Sequence, residues 1–282
     1  MVERVGFIGL GDMGWPMARN LCGGSFDVMV YDLSAELVEE LQAEGARAAS
    51  STQDVGAHSQ VVGVCVVDDA ASETVVEQLL KGAAPDTVIA IHGTVSPDAI
   101  ARMAERARRS QCHVIDAQIT GGRPRALERQ LRYMVGGDDE IVTRCRPVFE
   151  TSAAEITHCG PVGMGSIAKI CNNLVQFQAW MAYVEADLIA AKAGLAREKL
   201  FEVLAWIMND NARTFLSVRA ALVENPENEM LKERFTSAMQ LAQKDLSLAQ
   251  ELAKEQEVPV PGTDLARGHM AHLFGVDPQE SA

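Results

Sequence analysis

Residues 5–20 read VGFIGLGDMGWPMARN. A short apolar strand runs into three glycines spaced GxGxxG, and helix-forming residues follow them. In such a motif the first glycine (Gly9) permits a tight turn, the second (Gly11) lets the backbone approach a pyrophosphate, and the third (Gly14) lets helix and strand pack closely. The N-terminus of the following helix offers N–H groups and a partial positive charge to the phosphates. The stretch therefore predicts a dinucleotide-binding βαβ unit.

A second apolar strand at 27–31 ends at Asp32, which is 23 positions after Gly9 (32 − 9 = 23). A dinucleotide-binding fold places the acid that bonds the adenosine ribose hydroxyls at about this spacing. An ionised Asp32 would repel a 2′-phosphate, and Leu33 and Ser34 supply no arginine to compensate, so NAD is favoured over NADP. Alternatively, Asp32 caps the helix that begins near Ser34, and both roles are compatible.

The alternation of strand and helix continues to about residue 158. The run VVGVCVV at 61–67 is apolar throughout, which is typical of a strand buried on both faces of a parallel sheet. Further strands are predicted at 87–91, 113–115, 131–135 and 155–158, and helices at 72–80, 97–109 and 140–149. This alternation predicts a Rossmann-type doubly wound sheet, whose ligands bind beyond the carboxyl ends of the strands. The turns predicted at that edge are 67–69, 93–96 and 116–122.

The stretch 116–122, DAQITGG, is the most informative of these turns. The hydroxyl of Thr120 and the backbone N–H groups of the two glycines after it form a binding site for a carboxylate, although a plain turn is the alternative. Arg123 and Arg125 follow directly. They either pair with an anionic substrate tail or are solvated charges neutralised by Glu128.

The stretch 160–194 predicts one long helix, because it opens on glycines and then continues in helix-forming residues with no proline and no glycine until Gly194. This helix would carry the chain from a Rossmann domain at 1–162 into an all-helical domain at 163–282. The α/β fold is thus expected to be followed by an all-α substrate and dimerisation domain.

Three polar residues near the start of the long helix are the predicted centre of the chemistry. Lys169, Asn172 and Asn173 stand at i, i+3 and i+4, which places an ammonium and two amides on one helical face. The alternative is a solvated lysine followed by two helix-weakening asparagines.

The rest of the chain predicts helices at 197–208, 212–222 and 231–257. Trp206, Met208 and Phe215 are expected in the core of this half. Lys244 and Asp245 lie in the middle of a predicted helix, where a solvated ion pair is the simplest interpretation.

Composition limits the class of protein and its partners. The net charge of −14 argues against nucleic-acid binding, and the contents of 48% hydrophobic and 23% charged residues are ordinary for globular proteins. No apolar run approaches the roughly 18 residues that span a bilayer. With no N-terminal charged-then-apolar signal, a cytoplasmic protein without a membrane partner is expected.

The cysteines and histidines give little sign of a disulfide or a metal. Six cysteines show no CxxC pairing, so reduced thiols are expected. His158 beside Cys159, and His269 with His272, resemble metal ligands but have no complementary second pair, so no metal site is predicted.

Four motifs resemble those of the β-hydroxyacid dehydrogenase family, the relatives of 3-hydroxyisobutyrate dehydrogenase and tartronate semialdehyde reductase. They are GFIGLGDMGWPMARN at 6–20, DAQITGG at 116–122, GMGSIAKICNN at 163–173 and KDL at 244–246. They occur in the family's order, so the resemblance covers nearly the whole chain. The first and third motifs are specific, and the last is weak alone.

The resemblance implies an NAD(P)-dependent oxidoreductase that transfers hydride between the nicotinamide and the alcohol or carbonyl carbon of a small β-hydroxy acid or its semialdehyde. Lys169 would be the general acid/base, and no zinc is expected. Asn173 would position the substrate, Thr94 would lie on the nicotinamide side, and Lys244 would approach the cofactor. The family also implies a homodimer or homotetramer.

Motifs and resemblance together give the predicted site. The predicted cofactor-binding residues are Gly9, Gly11, Asp12, Met13, Gly14, Asp32, Val66, Val67, Thr94 and Lys244. The predicted substrate-binding residues are Gln118, Thr120, Gly121, Gly122, Arg123 and Asn173, with Lys169 as the catalytic residue.

Two departures from the family pattern concern the substrate. The family usually has Pro-Val-Ser where this chain has Gln118-Ile119-Thr120, and a glycine where it has Gln130. The altered loop leaves open which hydroxy acid is bound. It also leaves two alternative functions: an enzyme resembling the imine reductases, which usually lack the lysine, or a dinucleotide-binding module without catalysis.

Overall fold

A computed structural model of the chain describes residues 3–276. The chain forms two compact units, Met1–Lys169 and Ile170–Ala282. The predicted boundary after residue 162 lies shortly before the one between these units.

The first unit is built on one sheet with helices between its strands. The strands are β1 (Arg4–Ile8), β2 (Asp27–Tyr31), β3 (Arg47–Ala48), β4 (Val61–Val64), β5 (Val88–Ile91), β6 (His113–Thr120), β7 (Leu131–Gly136) and β8 (Ala153–Gly160). The helices are α1 (Gly14–Cys22), α2 (Ala35–Ala43), α3 (Thr52–His58), α4 (Asp69–Leu80), α5 (Pro97–Arg109), α6 (Gly122–Leu127) and α7 (Asp139–Phe149). The strand order is β3-β2-β1-β4-β5-β6-β7-β8, and neighbouring strands are parallel except β6 and β7. The predicted Rossmann-type sheet is confirmed.

The central strands are buried on both faces, as their continuous apolar sequences predict. Along β5, Val88 and Ala90 belong to one apolar cluster, whereas Ile89 and Ile91 belong to another. Successive side chains of a strand point to opposite faces, so the two clusters lie on the two sides of the sheet. The helices between the strands cover both sides and fix the carboxyl edge of the sheet as a rigid platform.

One predicted turn is wrong. The stretch 116–122 was expected to be a turn after a strand at 113–115, but β6 continues to Thr120. Asp116 to Thr120 pair antiparallel with Gly136 to Arg132 of β7, and this pairing holds the backbone extended. The turn is therefore confined to Gly121 and Gly122, and the short helix α6, which was not predicted, follows at once.

The second unit is helical, as predicted. It continues α8 (Met164–Lys192), which begins in the first unit, and adds α9 (Arg197–Leu204), α10 (Asp210–Glu224), α11 (Glu229–Glu255), α12 (Pro261–Gly268) and α13 (Met270–Phe274). Its core contains a cluster of stacked and edge-on aromatic rings, which are Phe177, Trp180, Phe215, Phe235 and Phe274. None of the helices within 3–276 is both long enough and apolar enough to cross a membrane.

Two of the three residues predicted to lie in the core of this unit are buried, and the third is exposed. Met208 and Phe215 are buried, as expected, but Trp206 is 84% exposed. The prediction for Trp206 is wrong because α9 ends at Leu204 rather than at residue 208, which leaves the tryptophan on a turn instead of on the buried face of a helix.

Candidate active site

The loops that carry most of the predicted residues leave one edge of the sheet. The register aligns one row of residues across five strands, namely Tyr31, Ile8, Val64, Ile91 and Asp116. The first four residues of this row end their strands. β6 alone projects beyond the row, as far as Thr120. The carboxyl edge is where open α/β sheets bind ligands.

The glycine loop after β1 has the geometry that a dinucleotide needs. Gly9 has φ +88°, and a Cβ there would lie 2.3 Å from the Cys65 carbonyl oxygen. A Cβ on Gly14 would lie 1.8 Å from the Gly9 carbonyl oxygen, so α1 packs on the loop only through glycine. A Cβ on Gly11 would meet no heavy atom within 4 Å. The space beside Gly11 is therefore open, and the start of α1 has neither a side-chain cap nor an acidic first turn, which suits a pyrophosphate.

Asp32 lies against the glycine loop. Its carboxylate accepts hydrogen bonds from the backbone N–H of Leu10 (2.6 Å) and of Ser34 (2.8 Å). Ser34 is the N-cap residue of α2. Asp32 thus organises the start of α2 and also stands beside the pyrophosphate loop, where a ribose acid is expected.

The loops after β4 and β5 touch each other at the same edge. A Cβ on Gly93 would lie 2.3 Å from the Val66 carbonyl oxygen, so these two loops are in close backbone contact. Val67 is 70% exposed, whereas Val66 and Thr94 are half-buried. The structure therefore brings together the predicted cofactor-binding residues of the sheet unit.

The predicted substrate residues on and after β6 differ in exposure. Gln118 has 0% exposure, and its amide Nε2 donates to the Ile91 carbonyl oxygen at 3.3 Å, so it lies inside the sheet edge. Contact between Gln118 and a substrate stays a prediction that requires its covering residues to move. Thr120 is half-buried, and the glycines after it form a tight turn with φ +133° at Gly121 and +74° at Gly122.

Arg123 contacts the glycine loop. Its Nη1 donates to the Asp12 carbonyl oxygen at 2.9 Å, and its guanidinium carbon lies 5.5 Å from the centroid of the Trp15 ring. Arg123, expected either to pair with a substrate tail or to be a solvated charge neutralised by Glu128, therefore links the turn after β6 to the phosphate loop, and its contact with a substrate stays a prediction.

Sequence reasoning missed Asp116. Its side chain has 0% exposure, and its two oxygens accept hydrogen bonds from the backbone N–H of Gly163 and of Ser166, each at 2.7 Å. Burial raises the pKa of this carboxyl, and the backbone donors partly offset that rise. The only signal in the sequence was its position at the head of the motif 116–122.

Lys169 lies five residues after the start of α8 and is half-buried. The helix is continuous from Lys169 through Asn172 and Asn173, so the shared helical face predicted for these residues is confirmed. Because Gly163 and Ser166 bond to Asp116, the first turn of this helix is attached to the carboxyl edge of the sheet.

The second unit holds a separate polar cluster. Asn173 is 3% exposed, and its Nδ2 donates to Asp245 Oδ2 at 2.7 Å. Asn172 Nδ2 donates to Asn173 Oδ1 at 3.0 Å, and Lys244 Nζ lies 3.3 Å from Asp245 Oδ1. The solvated pair expected at Lys244 and Asp245 is wrong, because Asp245 is only 4% exposed. Asp245 is the second residue that sequence reasoning missed.

All six cysteines are unpaired. Within residues 3–276, no group of three or more His, Cys, Asp or Glu side chains is arranged to hold a metal ion.

Both halves of the chain match families of known proteins. Residues 4–160 match the family described as the NAD binding domain of 6-phosphogluconate dehydrogenase, and residues 163–275 match the NAD-binding of NADP-dependent 3-hydroxyisobutyrate dehydrogenase. The chain is 32% identical to an NAD-dependent L-serine dehydrogenase of Pseudomonas aeruginosa, covering 94% of this chain and 90% of that protein. It is 30% identical to the mitochondrial 3-hydroxyisobutyrate dehydrogenase of Drosophila melanogaster, covering 94% and 82%. A solved Mycobacterium tuberculosis 3-hydroxyisobutyrate dehydrogenase with L-serine superposes with a TM-score of 0.82 at 30% identity, covering 98% of this chain and 95% of that one.

Proposed function

The chain belongs to the β-hydroxyacid dehydrogenase family, and on that premise we propose that it transfers hydride between NAD and the alcohol or carbonyl carbon of a small β-hydroxy acid or its semialdehyde. The observation that carries the proposal is the attachment of the α8 start to the carboxyl edge of the sheet through Asp116. It joins the helix of Lys169 to the edge that bears the glycine loop.

Each group at that edge has a proposed task. The backbone beside Gly11 and the start of α1 bind the pyrophosphate, and Asp32 binds the adenosine ribose. NAD, when bound, accepts or supplies the hydride. Lys169 Nζ donates a proton to the carbonyl oxygen in reduction and takes the hydroxyl proton in oxidation. General acid–base catalysis of this kind contributes roughly 10²- to 10⁴-fold.

The substrate is proposed to be held through its carboxylate by the Thr120 hydroxyl and the turn at Gly121 and Gly122. Asn173 is proposed to orient it. The support for Asn173 is its hydrogen bond to the buried Asp245, which fixes the direction of the amide. The same carboxylate restrains Lys244, for which contact with the cofactor is proposed.

Cofactor preference, compartment and assembly follow from separate observations. Asp32 and the absence of arginine at Leu33 and Ser34 favour NAD, with NADP possible. Six unpaired cysteines suit the cytoplasm. A homo-oligomer is proposed because the helical unit exposes large apolar side chains, among them Trp206 at 84% and Met230 at 78%.

The test is nicotinamide absorbance with a panel of small hydroxy acids, including 3-hydroxyisobutyrate, L-serine, glycerate, threonate and 4-hydroxybutyrate. Lys169→Ala is expected to lower turnover at least about 100-fold while NAD still binds. The matched control is Lys192→Ala, an exposed lysine in the last turn of the same helix, which is expected to keep wild-type turnover. Activity of Lys169→Ala within a few-fold of wild type would refute the proposal.

The same assay, extended to cyclic imines, separates the alternatives. Turnover of cyclic imines but of no hydroxy acid would indicate an imine reductase. NAD binding without turnover of either class would indicate a binding module without catalysis.

A further inference from the structure

Asp116 is a buried carboxyl group on β6, at one end of the row of residues aligned along the sheet edge. Helices leave the N–H groups of their first turn without partners inside the helix, and a side chain close in sequence usually caps them. In α8 the cap comes from a strand almost fifty residues earlier, because Asp116 accepts from Gly163 and Ser166. A carboxylate with two such short bonds is a strong and directional anchor.

Two glycines make room for this anchor. A Cβ on Gly136, the β7 partner of Asp116, would lie 2.6 Å from one carboxyl oxygen of Asp116. A Cβ on Gly165, in the first turn of α8, would lie 2.9 Å from the other carboxyl oxygen and 2.6 Å from the Met134 carbonyl oxygen. The helix therefore approaches the sheet edge only because both positions lack a side chain. This close fit leaves the start of α8 little freedom to shift.

Resting on the proposed role of Lys169, we propose that Asp116 is a positioning residue for the reaction. It fixes the start of α8 to β6 and so sets where Lys169 Nζ meets the substrate oxygen. Lys169 follows Ser166 by three residues, about 4.5 Å along the helix axis. Thr120 follows Asp116 by four residues on the same strand. One strand thus sets the spacing between the turn that binds the substrate carboxylate and the lysine that exchanges the proton.

The test compares Asp116→Asn with two other variants of the same unit. Asp116→Asn keeps the shape of the side chain but replaces one carboxyl oxygen with an NH₂ group. That group cannot accept a hydrogen bond, so one of the two bonds from the backbone N–H groups of Gly163 and Ser166 is lost. Gly165→Ala keeps the carboxylate and displaces the helix start. Ser51→Ala, the control, removes the side-chain cap of α3, where Ser51 Oγ accepts from Asp54 N at 3.1 Å.

Three quantities are measured for each variant: kcat on the acid found in the panel, the KM for NAD, and the rate at which an amine-acylating reagent labels Lys169 as a function of pH. We expect Asp116→Asn to lower kcat at least about 10-fold, with KM for NAD within about twofold, because small misplacements of a catalytic group are costly. Its labelling profile departs from that of the wild type, because a displaced start of α8 changes the surroundings of the Lys169 amino group. Gly165→Ala lowers kcat as well, and Ser51→Ala lowers only the unfolding temperature.

A labelling profile of Asp116→Asn that superposes on that of the wild type, with kcat within twofold, overturns the inference. If Lys169→Ala remains active, the proposed function fails, whereas the labelling arm still reports whether Asp116 controls Lys169. If neither Asp116→Asn nor Gly165→Ala folds, amide exchange in the wild-type chain decides. Slow exchange at Gly163 and Ser166 supports the anchor, and exchange as fast as in an exposed loop overturns it.

Discussion

The sheet unit holds its candidate site together mainly through backbone groups, whereas the helical unit holds its polar cluster together through side chains. At the sheet edge, glycines shape the phosphate loop, Asp32 accepts from two backbone N–H groups, and Asp116 does the same. In the helical unit, the amide of Asn173 forms hydrogen bonds with the side chains of Asp245 and Asn172, and no backbone group takes part in these two bonds.

This difference determines how each region responds to substitution. A site made from backbone tolerates changes of side chains that leave the strands and turns in place, but it fails when a glycine gains a Cβ. A site made from side chains keeps its fold after a substitution, yet it loses a directional contact. The following substitutions test that contrast.

The largest effect is expected for Gly14→Ala. Its Cβ would lie 1.8 Å from the Gly9 carbonyl oxygen, so the packing of α1 on the loop must open. We expect a loss of about 4 kcal/mol or more in the free energy of unfolding and no measurable NAD binding. Chemical denaturation and NAD titration give both quantities.

Gly11→Ala is the matched control, because its Cβ meets no protein atom within 4 Å. Stability should change by less than about 0.5 kcal/mol, whereas NAD affinity should fall, since the methyl occupies the space for the pyrophosphate. Equal unfolding midpoints for Gly14→Ala and the wild type would contradict the backbone interpretation.

The next largest effect is expected in the pH dependence of stability, and it comes from His92. It is buried against Phe7, Tyr133 and Phe149, and burial lowers its pKa to about 4, although its bond to the Ala117 carbonyl oxygen partly opposes this. The folded state then binds fewer protons than the unfolded state between pH 4 and about 6.5, so stability is full above that range and falls as the pH is lowered through it. The total loss is at most about 3 kcal/mol.

The measurement is urea unfolding across this pH range for the wild type and for His92→Asn, which keeps a donor for Ala117. Burial of Asp116 acts in the opposite direction, because its raised pKa favours proton uptake by the folded state, but this contribution is the same in both proteins. Parallel stability curves for the two proteins would show that His92 does not titrate as expected.

In the helical unit, Asp245→Ala should lower the free energy of unfolding by about 1–3 kcal/mol, since it leaves the buried amide of Asn173 without its acceptor. We also expect kcat to fall about 10-fold, because the amide loses its fixed direction. Thermal unfolding and steady-state kinetics are measured side by side.

Asp187→Ala is the control for Asp245, because Asp187 is also buried in this unit and bonds Arg197 at 2.8 Å and 3.0 Å. It should cost similar stability without lowering kcat. If the two variants lose turnover equally, the cluster around Asp245 serves the fold alone.

The smallest effect is expected for Ser166→Ala. The Ser166 hydroxyl is buried without a hydrogen-bond partner, while the backbone N–H of the same residue bonds Asp116. Removing the hydroxyl leaves that bond intact and relieves a buried polar group, so the free energy of unfolding should stay equal or rise by about 1 kcal/mol. A clear loss of stability would mean that the side chain, not the backbone, holds this end of α8.

Features that depend on residues close together in the sequence were predicted, whereas features that depend on residues far apart in the sequence were not. The glycine loop, Asp32 and the helix of Lys169 were predicted, because spacing, turn geometry and helical periodicity are local properties. The continuation of β6 to Thr120 was not predicted, because it depends on pairing with β7, which lies further along the chain. Trp206 was predicted to be buried because the helix was expected to continue to residue 208, whereas α9 ends at Leu204.

The sequence by itself determined the doubly wound sheet, the helical second half and the cofactor loop, because each is encoded by neighbours within a few residues. Only the tertiary structure decided which polar groups are buried and what they bond. Asp116 joins Gly163, Asn173 joins Asp245 and Arg123 joins Asp12, with between 47 and 111 residues separating the partners. Pairings over such separations arise from the way strands and helices pack, and no local pattern records them.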